Sequence, residues 1–191
     1  MNDAGARDPG VAVGAYDIDG AIRRIPHHPR PGVLFFDVMP LFEDPSGLGA
    51  CVDDITAWAR PRRIDMVVGA EARGLILGGA IAHALGAGFA TARKPGKLPG
   101  ARIGRRYSLE YGEDQLELHT GAIRPGQRVL IHDDLLATGG TAEALCGLVT
   151  DMGGTVAGVA VVVELSFLPG RDRLAPHEVH SLVRFDSEEM V

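Results

Sequence analysis

The feature that most constrains the fold is the run of residues 156–165, which is almost continuously apolar and rich in β-branched side chains. A strand of this composition is typical of the centre of a parallel sheet, where helices cover both faces. Residues 64–68 and 129–131 have the same character, and helical spacing follows each of them. Strands that alternate with helices are joined by right-handed parallel crossovers. The sequence therefore predicts an α/β fold with a doubly wound, mostly parallel sheet.

Other periodic segments supply further helices and strands. Leu48, Val52 and Ile55 repeat along one helical face, and Pro61 would end that helix. Two other helical segments stop at glycines, and short apolar runs predict additional strands. The predicted helices cover residues 48–59, 75–85 and 141–152, and the additional strands cover residues 33–36, 89–92 and 181–185.

Domain organisation follows from length and periodicity. A chain of 191 residues with 46% hydrophobic and 23% charged content suits one globular domain. Residues 1–14 are rich in Gly, Ala and Asp without any period, so we expect a mobile N-terminus ahead of a single domain over residues 15–191. Residues 95–116 lack a sustained apolar period and are too long for an ordinary connection, which predicts a flexible lid loop.

Composition also narrows the partners and the compartment. No run approaches the roughly 18 uncharged apolar residues of a membrane helix, and the first residues lack the basic and apolar regions of a secretory signal. We therefore expect a cytoplasmic protein without membrane contact. The net charge of −6 argues against nonspecific nucleic-acid binding. Cys51 and Cys146 match no metal or redox spacing, and we expect both to be buried as small hydrophobic residues.

One stretch of this acidic chain is purely basic. Residues 72–109 contain no Asp or Glu but hold seven Lys and Arg residues. Such a segment in an acidic protein fits a small polyanionic ligand, and it also fits a solvated basic loop. The seven residues are Arg73, Arg93, Lys94, Lys97, Arg102, Arg105 and Arg106.

Residues 133–141, Asp-Asp-Leu-Leu-Ala-Thr-Gly-Gly-Thr, leave a predicted strand and enter a predicted helix. Gly139 and Gly140 allow a tight turn that brings consecutive N–H groups towards a ligand. The positive end of the helix dipole lies at the same place, and Thr138 and Thr141 add hydroxyl donors. The segment therefore predicts a phosphate site. No Gly-Lys-Ser/Thr follows the glycines, so it is not a Walker A loop.

Asp133 and Asp134 would repel a phosphate directly, so they fit better as acceptors for sugar hydroxyls or as indirect partners of a metal ion. A phosphate beside a diol acceptor describes a ribose 5-phosphate site. The alternative is a capped turn in which these carboxylates only cap the helix, and the nine-residue pattern is too particular for that.

Residues 129–141 resemble the phosphoribosyl-pyrophosphate (PRPP) motif of type I phosphoribosyltransferases. The likeness extends in unbroken order over about residues 22–185. Its most specific part is Tyr-Ser-Leu-Glu-Tyr-Gly at residues 107–112, which is similar to the adenine-specific branch of the family. The segments that resemble this branch are residues 31–41, 71–78, 93–99 and 107–117.

The resemblance implies the type I fold, with a small N-terminal hood over residues 15–45, and a homodimer. It implies purine salvage by transfer of phosphoribose from PRPP to adenine, giving AMP and pyrophosphate. Mg²⁺ would be carried by PRPP, with no direct protein ligand. Two alternatives stay open: a phosphoribosyltransferase for another purine, and a noncatalytic PRPP-binding regulator.

The resemblance also assigns residues to roles. Glu110 would lie near N7 of adenine and exchange a proton with the base or orient it. The remaining assignments are Ala137, Thr138, Gly139, Gly140 and Thr141 for the phosphate, Asp133 and Asp134 for the ribose, Arg73, Lys94, Lys97 and Tyr111 for pyrophosphate, and Leu34 and Phe36 for adenine.

The chain departs from the family pattern at two notable positions. Phe36 stands where the family usually has Arg, so Phe35 and Phe36 would stack on the purine or belong to the core. His132 replaces a usually apolar residue, and we expect a satisfied core histidine. The family also implies a strained, cis peptide at residues 71–72.

Overall fold

A computed structural model describes residues 16–109 and 112–187. The predicted mobile terminus, residues 1–14, lies outside these ranges. In chain order the elements are α1 (Ile18–Ala21), β1 (Arg23–Pro26), β2 (Leu34–Asp37), α2 (Met39–Glu43), α3 (Pro45–Ala59), β3 (Met66–Ala70), α4 (Gly74–Leu85), β4 (Gly88–Ala92), β5 (Arg102–Leu109), β6 (Gly112–His119), β7 (Arg128–Leu136), α5 (Gly140–Asp151), β8 (Thr155–Leu165), α6 (Gly170–Arg173) and β9 (Val179–Phe185).

The main sheet has five strands in the order β4-β3-β7-β8-β9, and every neighbouring pair is parallel. The apolar run that predicted a central strand is β8, which is buried continuously from Gly158 to Leu165. Helices α3 and α4 cover one face, and α5 covers the other. The prediction of a doubly wound parallel sheet is confirmed.

The core lies in two layers that the alternation of each strand separates. On β7, Ile131 packs beneath α5 with Leu145, whereas its neighbour Leu130 packs beneath α3 and α4 with Leu77. All four side chains are fully buried. Each such residue contributes about 1.5–3 kcal/mol relative to an exposed side chain, so β7 is anchored from both faces.

The expected hood corresponds to a separate two-stranded antiparallel sheet, β1–β2, with α1 and α2 beside it. Asp37 ends β2 and accepts hydrogen bonds from the Arg23 side chain and the Met39 backbone N–H. Phe36 is 2% exposed and stacks on Phe185 of β9, with ring centroids 4.4 Å apart. This contact ties the hood to the edge of the main sheet.

The expectation of an irregular segment over residues 95–116 is wrong for most of its length. Strands β5 and β6 form an antiparallel hairpin in which Ile103 pairs with Leu118 and Arg105 with Leu116. Only one face of the hairpin rests on α5, so its apolar residues alternate with charged ones and give no helical or continuous signal. Residues 110 and 111 lie outside the described part of the chain, and the lid role stays a prediction.

Within the described ranges, no helix combines the length and apolarity that crossing a membrane requires.

Candidate active site

The order of the strands places a crevice between β3 and β7. The chain runs outwards from β3 to β4 on one side and from β7 to β8 and β9 on the other. Ligands of open α/β sheets bind at the carboxyl ends of strands where the winding reverses in this way. Arg73 follows β3 and the glycine turn follows β7, so the two predicted anion-binding segments meet at this reversal.

These two segments touch. A Cβ placed on Gly74, the first residue of α4, would lie 2.9 Å from the His132 carbonyl oxygen and 3.0 Å from the Asp133 Cα. Only glycine allows α4 to begin this close to β7. The contact fixes Arg73 beside the acidic pair.

The glycine turn encloses a small cavity. Gly139 has φ +81° and immediately precedes α5, whose first residue is the buried Gly140. The cavity has a volume of about 190 Å³ and is lined by Asp133, Thr138 and Thr141 among others. Unpaired helix N–H groups, the helix dipole and two hydroxyls converge on it, which is the combination that favours an anion.

Of the acidic pair, Asp133 lines this cavity and Asp134 is the next residue on β7. Asp133 Oδ1 accepts a hydrogen bond of 2.9 Å from the Asp134 backbone N–H. Burial and the neighbouring Asp134 carboxylate raise the pKa of Asp133 well above its usual range. Asp134 is 6% exposed, and its Oδ2 lies 2.7 Å from Arg73 Nε. A nearby cation would favour the ionised form of Asp133.

Arg73 joins three parts of the site. Its guanidinium pairs with Asp134 and also lies over the Phe35 ring, 5.2 Å from the ring centroid. Phe35 is half-buried on β2 and also meets the His28 ring edge-on, with ring centroids 5.0 Å apart. The residue predicted for pyrophosphate therefore links the predicted ribose acceptors to the strand predicted for adenine.

Lys94 and Lys97 follow β4 and are both exposed. Lys94 Nζ lies 2.9 Å from Asp114 Oδ2 on the hairpin, and this hydrogen bond raises the pKa of the lysine. Asp114 also accepts from the Tyr107 hydroxyl at 3.3 Å. Glu71 accepts from the Lys94 backbone N–H at 2.7 Å. Lys94 is thus already paired with a carboxylate.

The basic segment as a whole is not a run of solvated charges. Within the described part of the chain, ion pairs with carboxylates outside residues 72–109 are seen for five of its seven basic residues. The acid-free stretch therefore gains its counter-charges from the rest of the fold. The five are Arg73, Arg93, Lys94, Arg102 and Arg105.

The two predicted adenine residues are part of the hood core. Leu34 is 8% exposed and Phe36 is 2% exposed. The Phe36 ring is covered by Phe185, so the idea that its side chain stacks on a purine is corrected. The prediction that remains for Leu34 and Phe36 is that their backbone groups, on β2, bind adenine. Phe35 is the more exposed ring of the pair.

His132 is a core residue, as expected, but among the described residues only one of its two ring nitrogens has a hydrogen-bond partner. The ring is fully buried, with Nδ1 2.9 Å from the Ala160 carbonyl oxygen. Nε2 has no hydrogen-bond partner among the described residues. Burial lowers the pKa of the imidazole to about 4. The expected cis peptide between Glu71 and Ala72 is present, and Cys51 and Cys146 are buried and free as expected.

Two predicted residues, Glu110 and Tyr111, lie outside the described residues. Conversely, sequence reasoning missed the segment after β8, where Gly170 packs against the glycine turn. The only available signal was the Gly-Arg dipeptide at residues 170–171, because no period follows β8.

Comparison with known proteins agrees with this geometry. A family model described as the phosphoribosyl transferase domain matches residues 51–185. The adenine phosphoribosyltransferase of Koribacter versatilis is 52% identical over 165 residues, covering 86% of this chain and 91% of that protein. The Solibacter usitatus enzyme is 51% identical over 170 residues, covering 89% and 98%.

Solved structures give the same result. Adenine phosphoribosyltransferase from Thermoanaerobacter pseudethanolicus superposes with a TM-score of 0.86 at 42% identity, covering 88% of this chain and 98% of that one. The Saccharomyces cerevisiae enzyme, complexed with adenine and an imino-altritol bisphosphate, gives a TM-score of 0.83 at 37% identity, covering 87% and 96%.

Proposed function

Because the chain belongs to the phosphoribosyltransferase family, in its adenine-specific branch, we propose that it converts adenine and PRPP into AMP and pyrophosphate in purine salvage. The observation that carries this proposal is the meeting of the glycine turn, the acidic pair and Arg73 at one reversal of the sheet. Those three features match the three anionic or polar parts of PRPP: its 5′-phosphate, its diol and its pyrophosphate.

The 5′-phosphate end of PRPP fits the glycine turn. Backbone N–H groups near Gly139 and Gly140 and the hydroxyls of Thr138 and Thr141 would donate to its oxygens. Asp133 and Asp134 would accept hydrogen bonds from the ribose hydroxyls. The sugar would thereby be held with its anomeric carbon facing the hood and its pyrophosphate facing Arg73.

The chemical step displaces pyrophosphate at the anomeric carbon by N9 of adenine. Its transition state has cationic sugar character and a departing polyanion, so fixed positive charge on the leaving side stabilises it. Arg73, Lys94 and Lys97 would supply that charge. Asp134 and Asp114 hold Arg73 and Lys94 in the free protein, so binding requires an exchange of anionic partners.

Magnesium is proposed to enter with PRPP. The carboxylate oxygens of Asp133 and Asp134 are the hard donors that Mg²⁺ prefers, and they would face its hydration shell. The raised pKa of Asp133 fits this role, because a cation nearby would restore its charge. When bound, the ion would take up part of the charge of the departing pyrophosphate.

Adenine is proposed to lie between the hood and the tip of the hairpin. Glu110 would exchange a proton with N7 or orient the base, and Tyr111 beside it would contact pyrophosphate as the lid excludes water. We expect Glu110→Gln to lower turnover roughly a hundredfold, as lost acid–base catalysis does. Steady-state rates for the purified variant, with Glu113→Gln as a nearby control, measure this; unchanged turnover would remove Glu110 from the mechanism.

The reaction itself is tested by a PRPP-dependent assay that follows formation of nucleotide from adenine, hypoxanthine and guanine. We expect AMP from adenine and little product from the oxopurines. Equal or better use of an oxopurine would assign the enzyme to another purine. PRPP binding with no nucleotide formed from any purine would assign the chain to the noncatalytic regulators.

A homodimer and a cytoplasmic location complete the proposal. Ile76 and Phe89 are large hydrophobic residues that are 45% and 37% exposed, which suits burial in a subunit contact. Two buried free thiols, Cys51 and Cys146, suit a reducing compartment. Light scattering coupled to size exclusion measures the assembly directly, and a monomer at micromolar concentration would contradict it.

A further inference from the structure

The segment that follows β8 packs against the back of the glycine turn. A Cβ placed on Gly139 would lie 2.8 Å from the Gly170 carbonyl oxygen. A Cβ placed on Gly170 would lie 2.2 Å from the Ala137 carbonyl oxygen and 3.0 Å from the Leu136 side chain. Neither position has room for a side chain, so the turn rests backbone against backbone on Gly170.

Arg171 anchors this support. Its Nε donates to Glu164 Oε1 at 2.7 Å, and one terminal nitrogen donates to Glu164 Oε2 at 2.5 Å. The other terminal nitrogen donates to the Val179 carbonyl oxygen at 3.0 Å. Two parallel N–H···O bonds fix the direction of the guanidinium as well as its distance. Gly170, the residue just before Arg171, is therefore held in place relative to β8 and β9.

Glu164 is built into the sheet as a fixed acceptor. Its side chain is 2% exposed, and it also accepts from the Ser181 hydroxyl at 2.6 Å. Burial alone would raise the pKa of this carboxyl, but Arg171, Ser181 and Arg184 together outweigh burial and lower it. The carboxylate is thus charged, and loss of Arg171 would leave that charge without its main partner.

We propose that Glu164 and Arg171 are positioning residues for the phosphate site: their ion pair holds Gly170 against Gly139 and Ala137 and so fixes the N–H groups of the turn. Neither side chain needs to touch the ligand. Backbone donors bind an anion best when their geometry is set beforehand, because no ordering is required on binding. The inference rests on the proposed role of residues 137–141 as the phosphate turn.

The test compares Arg171→Met with Arg171→Lys and with Arg184→Met as a matched control. Arg184 lies on β9, and its Nε is 3.6 Å from Oε2 of the same Glu164 carboxylate. It is not part of the segment that packs against the turn. We expect Arg171→Met to raise KM for PRPP roughly tenfold or more and to weaken AMP binding similarly, with kcat within about twofold. Arg171→Lys should recover part of the loss, and Arg184→Met should resemble the wild type.

A purely structural role would give a different result: a lower unfolding temperature with unchanged KM for PRPP and unchanged AMP affinity. That outcome overturns the proposal, as does an equal effect of Arg184→Met. If Arg171→Met does not fold, Arg171→Lys and Ser181→Ala decide, and wild-type KM for PRPP in both rejects the inference.

Failure of the underlying phosphate assignment is recognised separately. Calorimetric titration of Gly139→Ala with AMP tests the turn directly. Undiminished AMP affinity in that variant rejects the turn as the phosphate site and the inference with it. Weak AMP binding in Gly139→Ala together with normal binding in Arg171→Met rejects only the role of the Glu164–Arg171 pair.

Discussion

At the carboxyl end of β7 the groups proposed to bind an anion are mainly backbone amides, whereas beyond β3 and β4 they are basic side chains, of which Arg73 and Lys94 already have carboxylate partners. Residues 137–141 of the turn carry no charged side chain, so the turn itself has no ion pair to break, and Gly170 packs against it. Arg73 and Lys94, in contrast, are paired with Asp134 and Asp114 at 2.7 and 2.9 Å. In the proposed site, the phosphate half would be preformed, and the pyrophosphate half would have to exchange carboxylate partners for the ligand.

This difference suits the two ends of the proposed substrate. The 5′-phosphate stays on the sugar throughout the reaction, so a rigid site can hold it in substrate and product alike. Pyrophosphate has to leave. Because Arg73 and Lys94 can return to their carboxylate partners, they would bind pyrophosphate with a smaller net gain in free energy. The Lys94–Asp114 pair is partly exposed, and surface ion pairs are worth about 0.2–1 kcal/mol, so exchanging this pair would lower pyrophosphate affinity without abolishing it. Rigidity and partner exchange can each be perturbed separately.

The largest effect is expected from Gly139→Ala. Gly139 has φ +81°, and a Cβ there would also press on Gly170 at 2.8 Å, so the turn itself must move. We expect KM for PRPP to rise roughly a hundredfold, as misplacement of a binding group by about 1 Å can do. Steady-state kinetics with PRPP varied at saturating adenine measures this.

Gly121→Ala is the matched control for that variant. Gly121 has φ +83°, nearly the same backbone strain, but a Cβ there meets nothing within 4 Å. It should lose about 1–2 kcal/mol of folding stability and keep its kinetic constants. If Gly139→Ala binds PRPP as tightly as Gly121→Ala and the wild type do, the turn is not the phosphate site, and the contrast between the two halves of the site disappears.

The strand beneath the turn should respond to acid. His132 has a pKa of about 4 in the folded protein and 6.5 as its ordinary value. At pH 7 and above the imidazole is mostly neutral in both the folded and the unfolded state, so it contributes little pH dependence there. As pH falls from 6.5 towards 4, the unfolded chain takes up the proton and the folded chain does not, so stability decreases. The loss is about 2 kcal/mol at pH 5.

His132→Val isolates this contribution. Urea unfolding at pH 7 and pH 5 gives the difference for the wild type and for the variant, and any loss of packing in the variant cancels between the two pH values. The wild type should lose about 2 kcal/mol more than His132→Val over this interval. Equal losses would mean that the imidazole titrates normally and that the core of β7 admits a proton.

The sequence predicts the glycine turn of the proposed site more completely than it predicts the side chains on the pyrophosphate side. The glycine turn is local: residues 133–141 contain the strand end, the carboxylates and the glycines in one segment. The partners of Arg73 and Lys94 come from distant segments, and no spacing connects Lys94 to Asp114 across the hairpin. Pairing of that kind is decided by tertiary structure alone.

The same distinction explains the errors in the fold. The buried strand β8 carries the apolar signal on most of its residues, and the sequence predicts it almost to its ends. The hairpin is apolar on one face only, so Leu116 stands among charged residues, and the sequence pattern predicts a loop there instead of a strand. Phe36 could not be placed by sequence because its partner, Phe185, lies at the far end of the chain.

The smallest effect, and the sharpest test of partner exchange, is expected from Asp114→Asn. The substitution keeps the shape of the side chain but removes the charge that pairs with Lys94, so pyrophosphate no longer competes with an internal anion. Because an exposed pair is worth at most about 1 kcal/mol, pyrophosphate affinity should increase only about threefold, while KM for adenine stays unchanged. Product inhibition by pyrophosphate measures this.

Asp151→Asn is the control. It removes the carboxylate that pairs with Arg105 of the same hairpin at a similar distance, 3.0 Å, and that pair lies outside the proposed site. Weaker pyrophosphate binding in Asp114→Asn would mean that Asp114 orients Lys94 towards the ligand, and both halves of the site would then be preformed.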